Sequence, residues 1–179
     1  METYPSKNIA IDWVEKGTLL RNLFLSLSFA FLTALTAQIR IVIPISPVPI
    51  TGQTFTVLLA GLILGSTFGA ISMLMYLFLG MSGLPFFTSG VAGVAILKSP
   101  TIGYIIGFFL AAYIIGEFSR RPIVGIVLGT SAIYFCGVIG LMITLNTSFL
   151  NALTIGVFPF VLGDVLKAIL AVGIALKLK

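Results

Sequence analysis

What most constrains this chain is where its charge is missing. From Leu23 to Ile39, from Phe55 to Gly80 and from Ile123 to Leu145 there is no Asp, Glu, Lys or Arg. The run Ile102 to Phe118 meets a charge only at Glu117, and Leu153 to Leu176 carries just Asp164 and Lys167. About 20 apolar residues cross the hydrocarbon of a bilayer as an α-helix. Charged residues make up 8% of the 179, against about 25% in soluble domains, so this chain cannot cover a surface facing water. It reads as an all-α integral membrane protein, a compact bundle in one membrane domain over residues 23–179, preceded by an N-terminal segment over 1–22. In that segment Ile9 and Trp13, four apart, suit a short interfacial turn or a frayed tail.

Composition excludes several chemistries. There is no histidine, and the single Cys136 lies in an apolar run. Neither a His-ligated metal, nor an intrachain disulfide, nor Ser-His-Asp catalysis is therefore available, and no enzyme activity, cofactor or metal is expected. No G-x-x-x-x-G-K-[ST] loop occurs, so any use of ATP has to come from a partner. The net charge of +5 does not indicate nucleic acid, because the basic residues stand at loop ends and read as topology.

Phe55 to Gly80 is long for one span and short for two, with Gly65-Ser66-Thr67 in its middle as a candidate turn. Charge bias arbitrates. Six spans starting from the cytoplasm put Lys7, Lys16, Arg21, Arg120, Arg121, Lys177 and Lys179 inside, against Arg40 and Lys98 outside. Five spans put Lys7, Lys16, Arg21 and Lys98 inside, against Arg40, Arg120, Arg121, Lys177 and Lys179 outside. The positive-inside rule favours six transmembrane helices with both termini cytoplasmic, a multi-pass protein of the cell membrane. Small residues at four-residue spacing, such as Gly61/Gly65/Gly69, Gly103/Gly107 and Gly125/Gly129, suit close helix packing; Ser26/Ala30/Ala34 shares the pattern.

Asp164 and Lys167 are three apart, so they share one face of the last helix. Each would cost about 2.5–3.5 kcal/mol in hydrocarbon, so both must point inward. They form either a pair that pins the bundle or a clamp. As a clamp, Lys167 offers donors and positive charge to an anion, while Asp164 accepts from N–H groups, together describing a small organic acid with amide-like N–H groups. The loop from Ile43 to Thr54 is stiffened by Pro44, Pro47 and Pro49. In it Gln53 is suited either to a ligand amide or to capping the next helix. The loop from Met81 to Pro100 is long and apolar, as lids and binding loops are, and Gly90 and Gly93 allow close backbone approach. Tyr104, just beyond, suits a ligand contact or an interfacial anchor.

Taken together, Pro47-Val48-Pro49-Ile50-Thr51, Gln53-Thr54, Leu58-Leu59-Ala60-Gly61, Gly83-Leu84-Pro85-Phe86, Pro100-Thr101, Gly103-Tyr104-Ile105-Ile106-Gly107-Phe108 and Gly163-Asp164-Val165-Leu166-Lys167 resemble the BioY biotin transporters. These are the substrate-binding (S) components of energy-coupling-factor (ECF) transporters. The resemblance implies a six-helix protein that captures biotin and is driven by a separate transmembrane coupling protein with two ATPases. It also implies that Asp164, Lys167, Gln53, Gly90 and Tyr104 contact biotin, and that Ala30 and Ala34 dock the coupling protein. Another carboxylate-bearing vitamin, or a non-transport structural role for the charged pair, is the alternative.

Overall fold

The computed structural model of the protein describes residue 14 and residues 16–177, so the Ile9 to Trp13 segment lies outside the described residues. Helix α1 spans Leu19–Gln38, capped by the Thr18 hydroxyl accepting from the Arg21 N–H. It starts four residues earlier than the apolar run because Thr18 supplies the cap. Strands β1 (Arg40–Ile41) and β2 (Ile50–Thr51) pair antiparallel, with Arg40 opposite Thr51 and Ile41 opposite Ile50. This clasp closes the proline-rich loop and delivers the chain to α2 (Gln53–Met81).

Helix α2 is broken where the sequence placed a turn. Gly65 has φ 76° and ψ −174°, a conformation that glycine adopts without a Cβ penalty. The two limbs, residues 53–64 and 66–81, fold against each other: a Cβ on Gly69 would lie 3.0 Å from the Ala60 carbonyl oxygen. Nine residues of continuous helix would separate those positions by about 13 Å. The run is therefore a hairpin of two short spans.

A loop over 82–101 containing 3-10 turns at Thr88–Gly90 and Val94–Lys98 leads to α3 (Ile102–Glu117). Helix α4 (Pro122–Leu145) begins with its proline in the first turn, where a missing N–H costs nothing, and stops at Asn146 in the left-handed region. The last apolar run is two helices, α5 (Phe149–Gly156) and α6 (Phe158–Lys177), where the sequence suggested one. Pro159 accounts for the break, since its ring cannot accept the carbonyl of a preceding helical turn. Four of the helices are long and apolar enough to cross a membrane. With α2 counted as two limbs and α3 added, six spans form the expected all-α membrane bundle.

Interhelical seams run over small residues. A Cβ on Gly103 would stand 2.2 Å from the Cys136 carbonyl oxygen, and one on Gly129 2.6 Å from the Ile115 side chain. Ala30 and Ala34 are also turned inward, buried in the common core, while the neighbouring Ser26 hydroxyl donates to the Phe68 carbonyl (2.9 Å). The opposite face of α1 exposes Phe24, Phe31 and Leu35.

Candidate functional site

The β1–β2 clasp, the 82–101 loop, the adjoining ends of α2, α3 and α6 and the middle of α4 enclose a cavity with about 480 Å³ of empty space, its mouth included. Val48, Pro49, Ile105, Phe108, Ile133 and Phe160 make its apolar wall. Its polar groups converge from five segments of the chain: Thr51, Gln53 and Thr54, Thr88, Thr101 and Tyr104, Tyr134, then Asp164 and Lys167.

Asp164 and Lys167 meet as their spacing requires, Lys167 Nζ standing 2.8 Å from Asp164 Oδ1. Asp164 is buried, 7% exposed. Thr54 completes a triangle, its hydroxyl donating to Asp164 Oδ1 (2.9 Å) and accepting from Lys167 Nζ (2.9 Å). The Tyr134 hydroxyl donates to Asp164 Oδ2 at 2.7 Å. Lys167 thus spends two of its three N–H donors inside the protein. Asp164 Oδ1 is filled by two donors, and Oδ2 keeps one accepting direction. One donor on a cation and one acceptor on a carboxylate are left side by side for a guest.

Gln53 is buried and does not cap α2, whose N-cap Gly52 has no side-chain partner. Its amide donates to the Tyr76 hydroxyl while its Oε1 accepts from Thr51 (2.9 Å) and Thr88 (3.3 Å). The glutamine therefore ties the clasp, α2 and the 82–101 loop together at the cavity wall. That loop is further held by Phe86 and Phe87, both packed on Tyr76, and by Gln38 donating to the Phe87 carbonyl (3.2 Å). Tyr104 is 7% exposed, too buried for an interfacial anchor. Its hydroxyl donates to the Gly156 carbonyl at the α5–α6 break (2.7 Å), and its ring faces the cavity beside Phe160.

The structure gathers Asp164, Lys167, Gln53 and Tyr104 around one space. Gly90 is not brought to it: that glycine is exposed, with φ 70°, and Thr88 is the residue of its turn that lines the cavity. Sequence reasoning passed over Thr54 and Tyr134, the two neutral partners of Asp164. The available signal was chemical, since a tyrosine or threonine inside an apolar span needs a partner for its hydroxyl. Among the described residues no cluster of His, Cys, Asp and Glu could hold a metal.

The model of the BioY family matches residues 6–179 of the chain. A probable biotin transporter BioY of Pyrococcus horikoshii is 39% identical over 153 residues, spanning 84% of this chain and 91% of that one. The biotin transporter BioY of Thermotoga maritima is 36% identical over 143 residues, spanning 76% and 84%. The fold also superposes, with TM-score 0.80 and 30% identity over 89% of this chain and 90% of the other, on a crystal structure described as the S-component for biotin from an ECF-type ABC transporter.

Proposed function

The chain belongs to the BioY family, and from that premise we propose that it is the membrane component that binds biotin for uptake, a transporter subunit and not an enzyme. The observation that carries the assignment to this site is the Asp164–Lys167 pair held inside a walled cavity, with one N–H of Lys167 and one lone-pair direction of Asp164 left over. Biotin has a carboxylate, a ureido ring with two N–H donors and an apolar thiophane ring. Its polar groups match those two vacancies, while Phe108, Phe160 and Ile105 receive the sulfur ring. Gln53 and Tyr104 hold the walls closed around it, Gln53 through the 82–101 loop and Tyr104 through the α5–α6 break.

Uptake needs work that this sequence, lacking a phosphate-binding loop, does not supply. A transmembrane coupling protein and ATPase subunits provide it, with the cavity end facing outward in the cell membrane, the orientation that the charge bias favours.

Calorimetric titration of the purified protein with biotin tests the reading directly, and native mass spectrometry of the same sample identifies any co-purified ligand. Saturable binding by the intact chain is expected, with a loss of at least about 100-fold in Lys167→Ala, the scale of a charge-assisted contact of about 3 kcal/mol. An unchanged affinity in Lys167→Ala would retire the clamp. In proteoliposomes, ATP should drive biotin accumulation only when the coupling protein and ATPases are present; accumulation by the chain alone would remove them from the scheme.

A further inference from the structure

The cavity has a second neighbour on its outer side. Helices α4 and α6 diverge around a groove with about 1,110 Å³ of empty space, open margin included, whose walls are apolar and whose rim is set by the exposed side chains of Ile123, Val127, Val165 and Ile169. Tyr134 and Asp164 line this groove as well as the cavity. Tyr134 stands on α4 and Asp164 on α6, and their 2.7 Å hydrogen bond crosses the seam between them. A groove with exposed Ile and Val along its rim is filled by lipid chains in a bilayer, whereas the cavity holds an ion pair that hydrocarbon would penalise.

We propose that Tyr134 is the partition between the binding cavity and the lipid, and also the positioning residue of Asp164. Its ring blocks the seam and its hydroxyl fixes the carboxylate so that the second oxygen keeps its one accepting direction toward the cavity. The positioning half rests on the biotin reading above; the partition half does not. A carboxylate held by Thr54 and Lys167 on one oxygen is free to swing the other unless a further donor holds it, and the phenol supplies that hold from across the seam. The same side chain thereby keeps the ligand's polar groups from contact with acyl chains.

Labelling separates the two halves. In full-length protein carrying Cys136→Ala and Ile105→Cys, the sole thiol lies on the cavity wall. Reconstituted into phosphatidylcholine vesicles, it is reacted with bilayer-dissolved pyrene maleimide and, separately, with a charged water-soluble maleimide that enters by the mouth. Adding Tyr134→Ala is expected to raise the pyrene rate at least tenfold and leave the charged-reagent rate unchanged, while Tyr134→Phe, which keeps the ring, stays at the parent rate. A flat pyrene rate in Tyr134→Ala, an equal rise in Tyr134→Phe, or a parallel rise with the charged reagent each overturns the partition. Should the alanine variant fail to fold, Tyr134→Leu replaces it under the same criteria. For positioning, Tyr134→Phe in the native-cysteine chain is expected to bind biotin about tenfold more weakly; parent affinity overturns that half. If the parent protein ignores biotin, the function assignment fails while the labelling result still decides the partition.

Discussion

Two seams of the same helix show opposite construction. On one side α4 meets α3 almost backbone to backbone, with Gly103 against the Cys136 carbonyl and Gly140, and Gly107 against Ile133. On its other side α4 parts from α6 around an open groove, bridged by the hydrogen bond from Tyr134 to Asp164. In lipid no hydrophobic force drives helices together, so association rests on van der Waals approach and interhelical hydrogen bonds. The first seam uses approach alone and has nothing to recognise a ligand with. The second gives up approach and keeps polar groups where a guest can reach them. Tight seams carry the fold, and the loose one carries the chemistry.

The comparison breaks first at its tight side. Gly103→Val should lower stability by about 3 kcal/mol or more, since the colliding atoms are backbone and cannot move aside. Val127→Phe on the groove rim should stay within about 0.5 kcal/mol. Thermal denaturation in detergent measures both, and similar melting temperatures would erase the contrast. Next, the double replacement Asp164→Leu with Lys167→Leu should keep the melting temperature near the parent value, because a buried pair exchanged for apolar residues is often neutral. Biotin binding by calorimetry should nevertheless fall by more than about 100-fold, two charge-assisted contacts being gone. A collapsed fold in that variant would make the pair a structural pin. Gln53→Ala removes the acceptor of the Thr51 and Thr88 hydroxyls and leaves Tyr76 with only its bond to the Phe86 carbonyl. It should weaken biotin binding by about tenfold, the scale of one neutral hydrogen-bond network. Smallest is Gly90→Ala, which adds roughly 1 kcal/mol of backbone strain at φ 70° but touches nothing in the cavity. Its biotin affinity should match the parent within a factor of about three, and a larger loss would return Gly90 to the site.

The six spans, the Gly65 turn and the Asp164–Lys167 pair were legible because each is local: run length, one glycine, one helical spacing. The glycine pairs read as packing were equally so. What was hidden is long-range. Tyr134 and Thr54 reach Asp164 across 30 and 110 residues, and no periodicity announces a hydroxyl's partner at that distance. Gly90 drew attention through its glycine, yet loop geometry turned the preceding threonine inward instead. The break after Gly156 was hidden by hydropathy, which continues unbroken across it, although Pro159 marked it. Ala30 and Ala34 fit two uses of small residues, and their spacing alone does not say which face of α1 the bundle covers.

The hairpin at Gly65 bears on how the bundle meets the surrounding bilayer. The limb over 53–64 is about 18 Å long, well short of a hydrocarbon core of about 30 Å. Bare backbone at that depth survives only beneath protein, and Gly116 of α3 lies directly on Ser66 to cover it. That limb is buried in the bundle, with Val57, Leu58, Ala60 and Leu62 all but inaccessible, so protein and not acyl chains takes up its shortfall in length.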